Sequence, residues 1–223
     1  MAKSKKTTQQ KNVKSIKRPI MWIAIIAGIA AIGTMAMIYC TKPNSKVIQL
    51  AAADKTAGTP LMATIDSRAS AREFANTDLA PQTLADVLWA AWGTNQNGTR
   101  TIPTAKNEQN LKVYAVMREG AYLYNGVDNK LELVTTKDLR ADYIAINQEF
   151  VKDAPLTLVY VGSDPKWSPM HAGSSYQNVG IYAASNGLAA RVRGWLDYEG
   201  LKKELNLLEN EQVIVSITIG NAK

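Results

Sequence analysis

The sequence predicts an α+β domain set behind a basic, apolar N-terminal stretch. Three observations carry this. Strand-like runs at 111–118, 121–124 and 130–134 are separated by Glu119-Gly120 and Asn125-Gly126, turn pairs of hairpin type. Pro60 and Pro81 each open a stretch with helical apolar spacing. Helices and strands then mix without a regular βαβ rhythm, which argues against a doubly wound sheet. With 223 residues, the chain is long enough for one domain with a sizeable core.

In chain order, residues 1–19 form a basic tail carrying Lys3, Lys5, Lys6, Lys11, Lys14, Lys17 and Arg18, and no acidic residue precedes Asp54. Residues 20–39 are uncharged and apolar, and a helix of that length spans ~30 Å at ~1.5 Å per residue. The expectation is a single-pass membrane anchor with a cytoplasmic N-terminus, which places the remaining domain outside the cytoplasm. A cleaved signal peptide is the competing reading. Thr34-Met-Ala36 is a poor cleavage site, and Ala51-Ala-Ala53 sits far downstream. Cys40 is the only cysteine, so no intrachain disulfide forms.

Residues 40–59 read as a linker and 60–223 as the folded domain. Thr59 and Pro60 suit an N-cap and first helical residue. From Pro81, Leu84, Leu88, Ala91 and Trp92 share a helical face, and Gly93 stops the helix. The polar stretch 95–110, with Asn97-Gly98, is longer than most connections, a length at which ordered loops often carry function. After the three strand-like runs come a predicted helix at 137–150, an apolar strand at 154–162 and a loop at 164–168. A small-residue helix at 174–186, ended by Gly187, precedes a strand at 188–193, a helix at 198–208 and a last strand at 212–219.

The net charge of +7 belongs to the tail: residues 47–223 hold 17 basic against 19 acidic side chains. A domain with that balance lacks the electrostatic footprint of a nucleic-acid binder. The one histidine, His171, has no Ser/Asp pattern around it to suggest a hydrolase triad and reads as structural. Clustered metal ligands, a Walker A loop and GxGxxG are all absent from the sequence.

Other residues point to an anionic, ring-bearing ligand. Were the segment after the first helix extended, Arg68, Ser70 and Arg72 would share one face, and two guanidiniums with a hydroxyl there can grip a phosphate. They can equally be solvated charges at a helix end. Asn107, behind Pro103-Thr104-Ala105-Lys106, offers donors and an acceptor, although such loop asparagines commonly serve their own backbone. Gln177-Asn178 lies in the small-residue helix, where core packing is the default. Arg191, Arg193 and Gly194, just before Trp195, end a strand and face either a ligand or water. Gly220-Asn-Ala-Lys223 follows the last strand.

In this order, the set resembles the FMN-dependent nitroreductase family, and within it the short relatives of the SagB-type azoline oxidases, over about residues 60–223. Family members usually read Pro-Ser-Ala-x-Asn where this chain has Thr104, and many larger ones carry Pro-x-Glu-Gly where it has Arg191–Trp195. The resemblance implies a mixed, mainly antiparallel sheet flanked by helices, and a homodimer with FMN at the subunit interface. It also implies that Arg68, Ser70 and Arg72 hold the phosphate and ribityl chain, joined by Lys223 from the last strand. Asn107 would meet the ring edge, and Arg191, Arg193 and Gly194 would pack beside the ring. The implied chemistry passes a hydride through flavin N5, from NAD(P)H or a quinol to an acceptor such as a nitro compound or quinone. Azoline-to-azole peptide oxidation and a non-catalytic flavin-fold binding module are the alternatives.

Overall fold

The computed structural model describes residues 46–56 and 58–223, so the tail and the membrane-anchor expectation at 20–39 lie outside the described residues. Among those described, no helix is long and apolar enough to cross a membrane.

Seven strands form one sheet: β1 (Val47–Gln49), β2 (Lys112–Met117), β3 (Gly120–Asn125), β4 (Lys130–Thr135), β5 (Leu156–Gly162), β6 (Leu188–Arg193) and β7 (Gln212–Asn221). Their order is β1-β4-β3-β2-β5-β7-β6, and every described pairing is antiparallel. The sheet is therefore wholly antiparallel where a mixed one was expected. β1 falls within the expected linker, because three residues, mostly exposed, show no usable periodicity.

Period-two alternation fixes which side each residue serves. Val113, Ala115, Leu158 and Tyr160 face the helices α2 (Pro81–Trp92) and α3 (Trp167–Ser185) in one core. Tyr114, Val116, Val159 and Val161 face the opposite side, where Leu201 of α4 (Tyr198–Glu204) completes a second core. β5 is buried along both faces, which is why it reads as an unbroken apolar run.

Four helical expectations need correction. The helix expected at 137–150 is a π-turn over Arg140–Ile144 and a 3-10 turn over Glu149–Val151. Asp138 accepts the Arg140 backbone N–H, and Asn147 has φ 56°, outside the helical region. The helix expected at 174–186 instead begins at Trp167. The Asp164 carboxylate accepts the N–H groups of Lys166 and Trp167, both at 2.8 Å. Pro169 is tolerated in the first turn, where its missing N–H has no helical partner to lose. α4 stops at Glu204, near Asn206 with φ 52°. The first helix, α1 (Leu61–Ser67), starts behind Pro60, which takes the cap position expected of Thr59.

Candidate functional site

A groove is bounded by α3, β6 and the strip after α1. At Arg68 the chain leaves the helix with φ −61° and ψ 122°, an extended conformation. Ala71 then ties that strip to β6: its N–H donates to Ala190 O at 2.9 Å, and its carbonyl accepts from Arg191 Nη1 at 3.2 Å. The strip therefore runs beside the edge strand and holds its side chains along the groove.

Two recesses form this groove. One, of about 560 Å³, is lined by Arg72, Ala183, Leu188 and Lys223, among others. The other, of about 150 Å³, is lined by Arg68, Ser70, Gln177 and Arg191. They share Ala69, Gly180 and Ala190, so they are continuous. Gly180 sets the depth. A Cβ built there meets only Arg68 Cδ, at 3.8 Å, so a larger side chain would stand in the groove.

The charges fit an anion. Arg68, Arg72, Arg191 and Lys223 all line the groove, and none is ion-paired among the described residues. Glu73 also lines the larger recess and opposes them in part. Arg191 is further held by Phe150, whose ring centroid lies 5.4 Å from the guanidinium carbon. Four cations without ion pairs, a hydroxyl at Ser70 and an amide at Gln177 suit an elongated ligand with a phosphate and a polar ring edge. FMN has that chemistry.

Other expected site residues lie elsewhere. Arg193 is 3% exposed and spends its guanidinium on the protein. It donates to Gln148 Oε1 at 2.6 Å, Trp195 O at 3.1 Å, Ile146 O at 3.3 Å and Ile144 O. Burial, then Arg191, pushes its pKa down, so these acceptors are what keep the charge in place. The Arg193 guanidinium is thus engaged inside the fold and lines neither recess. Gly194 lines neither recess, and its carbonyl accepts from the Tyr198 hydroxyl.

Asn107 is exposed and also lines neither recess. Its φ of 58° follows Lys106 at 53°, two consecutive non-glycine residues in left-handed backbone. Each such residue costs ~1–2 kcal/mol, less for Asn than for Lys, so the surroundings must hold the turn. Gln177 proves to be a groove residue where core packing was expected. Its neighbour Asn178 instead ties α3 to Ala90 O and Thr101 O, at 3.3 and 3.2 Å. An exposed Gln beside a half-buried Asn follows from the ~100° step between them, which pattern reading could have exposed.

The sequence matches the model of the Nitroreductase family over residues 65–221. A crystal structure from Ralstonia eutropha JMP134, provisionally named a nitroreductase, is 39% identical. It aligns at a TM-score of 0.73 over 82% of this chain and 92% of its own. A Methanocaldococcus jannaschii protein, likewise provisionally named, is 28% identical over 54% of this chain and 71% of itself. An oxidoreductase containing FMN shares the fold at 15% identity and a TM-score of 0.54, covering 78% of this chain and 83% of that one. The match covers well over half the chain and includes the groove strip, α3 and the last two strands; the chain belongs to the nitroreductase family.

Proposed function

We propose that the protein is an FMN-dependent oxidoreductase, and the four cations without ion pairs around one groove carry the reading. Arg72 and Lys223 hold the phosphate, with Arg68 and Ser70 along the ribityl chain. Gln177 and Arg191 meet the ring, and the positive charge of Arg191 favours the anionic reduced state. Bound FMN supplies hydride transfer between a donor and an organic acceptor such as a nitro compound or a quinone. The chain's own task is to bind, orient and bias the charge, which needs no acid–base dyad. The short SagB-related branch remains our placement within the family.

Asn107 enters this reading through a second subunit. It lines neither recess of its own chain, and the family resemblance puts it at the ring edge, so the reading has it reach the partner's flavin in a homodimer. A second hollow of about 420 Å³, lined by Leu61, Trp89, Ile181 and Tyr182, offers the apolar surface such a dimer needs. Beside it Leu61, Met62 and Ile65 of α1 are exposed. An anchor at residues 20–39 would hold this dimer on the membrane, outside the cytoplasm, where a quinol is the more accessible donor than NAD(P)H. Anaerobic mixing tests the reading: a quinol or NAD(P)H should bleach the flavin band, and a nitroaromatic or quinone should restore it. If neither donor bleaches the band, the oxidoreductase reading fails and a binding module takes its place.

A further inference from the structure

The buried histidine lines neither recess of the groove, yet it touches the loop that carries Asn107. His171 sits near the start of α3 and is 3% exposed. Its Nε2 accepts the backbone N–H of Ala105 at 2.8 Å. An accepting Nε2 puts the ring proton on Nδ1, and that atom is buried without a partner among the described residues. A leucine would remove this unsatisfied group, but it could not accept the Ala105 N–H.

Ala105 leads directly into the left-handed pair Lys106 and Asn107. The bonds within this turn, Asn107 N to Thr104 O at 3.3 Å and Glu108 N to Ala105 O at 2.9 Å, do not tie it to the fold. Between Thr104 and Asn110, the bond to His171 is the only hydrogen bond leaving the loop, among the described residues. The Asn107 side chain accepts from Gln109 through Oδ1, and its amide nitrogen has no protein partner there, so it stays available to a ligand.

We propose that His171 is a positioning residue: it locks the strained Lys106–Asn107 turn and thereby fixes the amide that Asn107 presents to the flavin. The inference rests on the FMN reading and deepens it. It makes the lone histidine part of cofactor binding without contact to the cofactor. A strained turn held by one buried acceptor is a defined place for cofactor affinity to be tuned from inside the fold.

The test compares the full-length protein with His171→Leu, His171→Gln, Asn107→Ala and the Leu/Ala double variant. Glutamine places an acceptor near the position of Nε2. Should leucine prevent folding, His171→Asn, polar but too short, takes its place. Amide exchange is read before FMN is added, and FMN affinity afterwards. We expect His171→Leu to expose the Ala105 amide to exchange and to weaken FMN about tenfold. Asn107→Ala should weaken FMN by a similar factor, with no further loss in the double variant. His171→Gln should stay within about threefold of wild type on both readouts. Unchanged exchange at Ala105, additive losses in the double variant, or a lower melting temperature with unchanged FMN affinity would each overturn the proposal. Wild-type protein that binds no FMN would instead overturn the functional reading, and this inference with it.

Discussion

Arg191 and Arg193 are the same residue type two positions apart on one strand, yet one lines the groove and the other is sealed in the fold. The residues that separate them, 144–148, lie some fifty positions away in sequence and cover only Arg193. No local pattern could reveal that. Arg68, Ser70 and Arg72 were legible because their i, i+2, i+4 spacing needs only an extended backbone. We therefore expect Arg68→Ala with Arg72→Ala to weaken FMN about a hundredfold, by loss of charge-assisted hydrogen bonds, with the melting temperature nearly unchanged. Arg193→Met should do the reverse. It strands buried carbonyl groups at a cost of about 3 kcal/mol in stability, read by urea denaturation, while the folded protein keeps its FMN affinity.

At the scale of elements, strands β2 to β7 and α2 were legible because alternation, the unbroken apolar run of β5 and the proline-to-glycine frame survive in any tertiary setting. α3 was only half legible: Pro165, Pro169 and Gly173 look like breakers, and only the Asp164 carboxylate explains why the helix starts so early. The same helix carries Gly180 at the junction of the two recesses. Gly180→Leu should fill that junction and abolish FMN binding while the far-ultraviolet circular dichroism stays that of the wild type.

Electrostatics joins two further elements. Glu211, just ahead of β7, pairs with Lys112 of β2 and accepts the Leu208 N–H. Burial alone would raise its pKa, but the lysine and the N–H outweigh burial and hold it below 4.5. A depressed carboxyl stabilises the fold above its ordinary pKa and loses that contribution as pH falls through the lowered value. The melting-temperature gap between wild type and Glu211→Gln should be widest at neutral pH and close as pH drops below 4.5.

For the whole molecule, Asn107 lies outside the groove of its own chain, so the proposed reading needs a second chain to complete the site. Subunits carrying Arg68→Ala/Arg72→Ala, mixed with subunits carrying Asn107→Ala, should regain FMN binding at one site per heterodimer. Binding no better than that of the separate variants would return Asn107 to an intrachain role. The basic tail and the apolar run at 20–39 give the expected orientation, and a reporter fused to the C-terminus should be active only outside the cytoplasm. The most direct test of the central claim is the visible spectrum of the purified full-length protein, with the released chromophore identified by chromatography. FMN bound at one molecule per chain, and lost in the Arg68→Ala/Arg72→Ala variant, is the predicted result. A folded, colourless protein that takes up no added FMN would contradict the account.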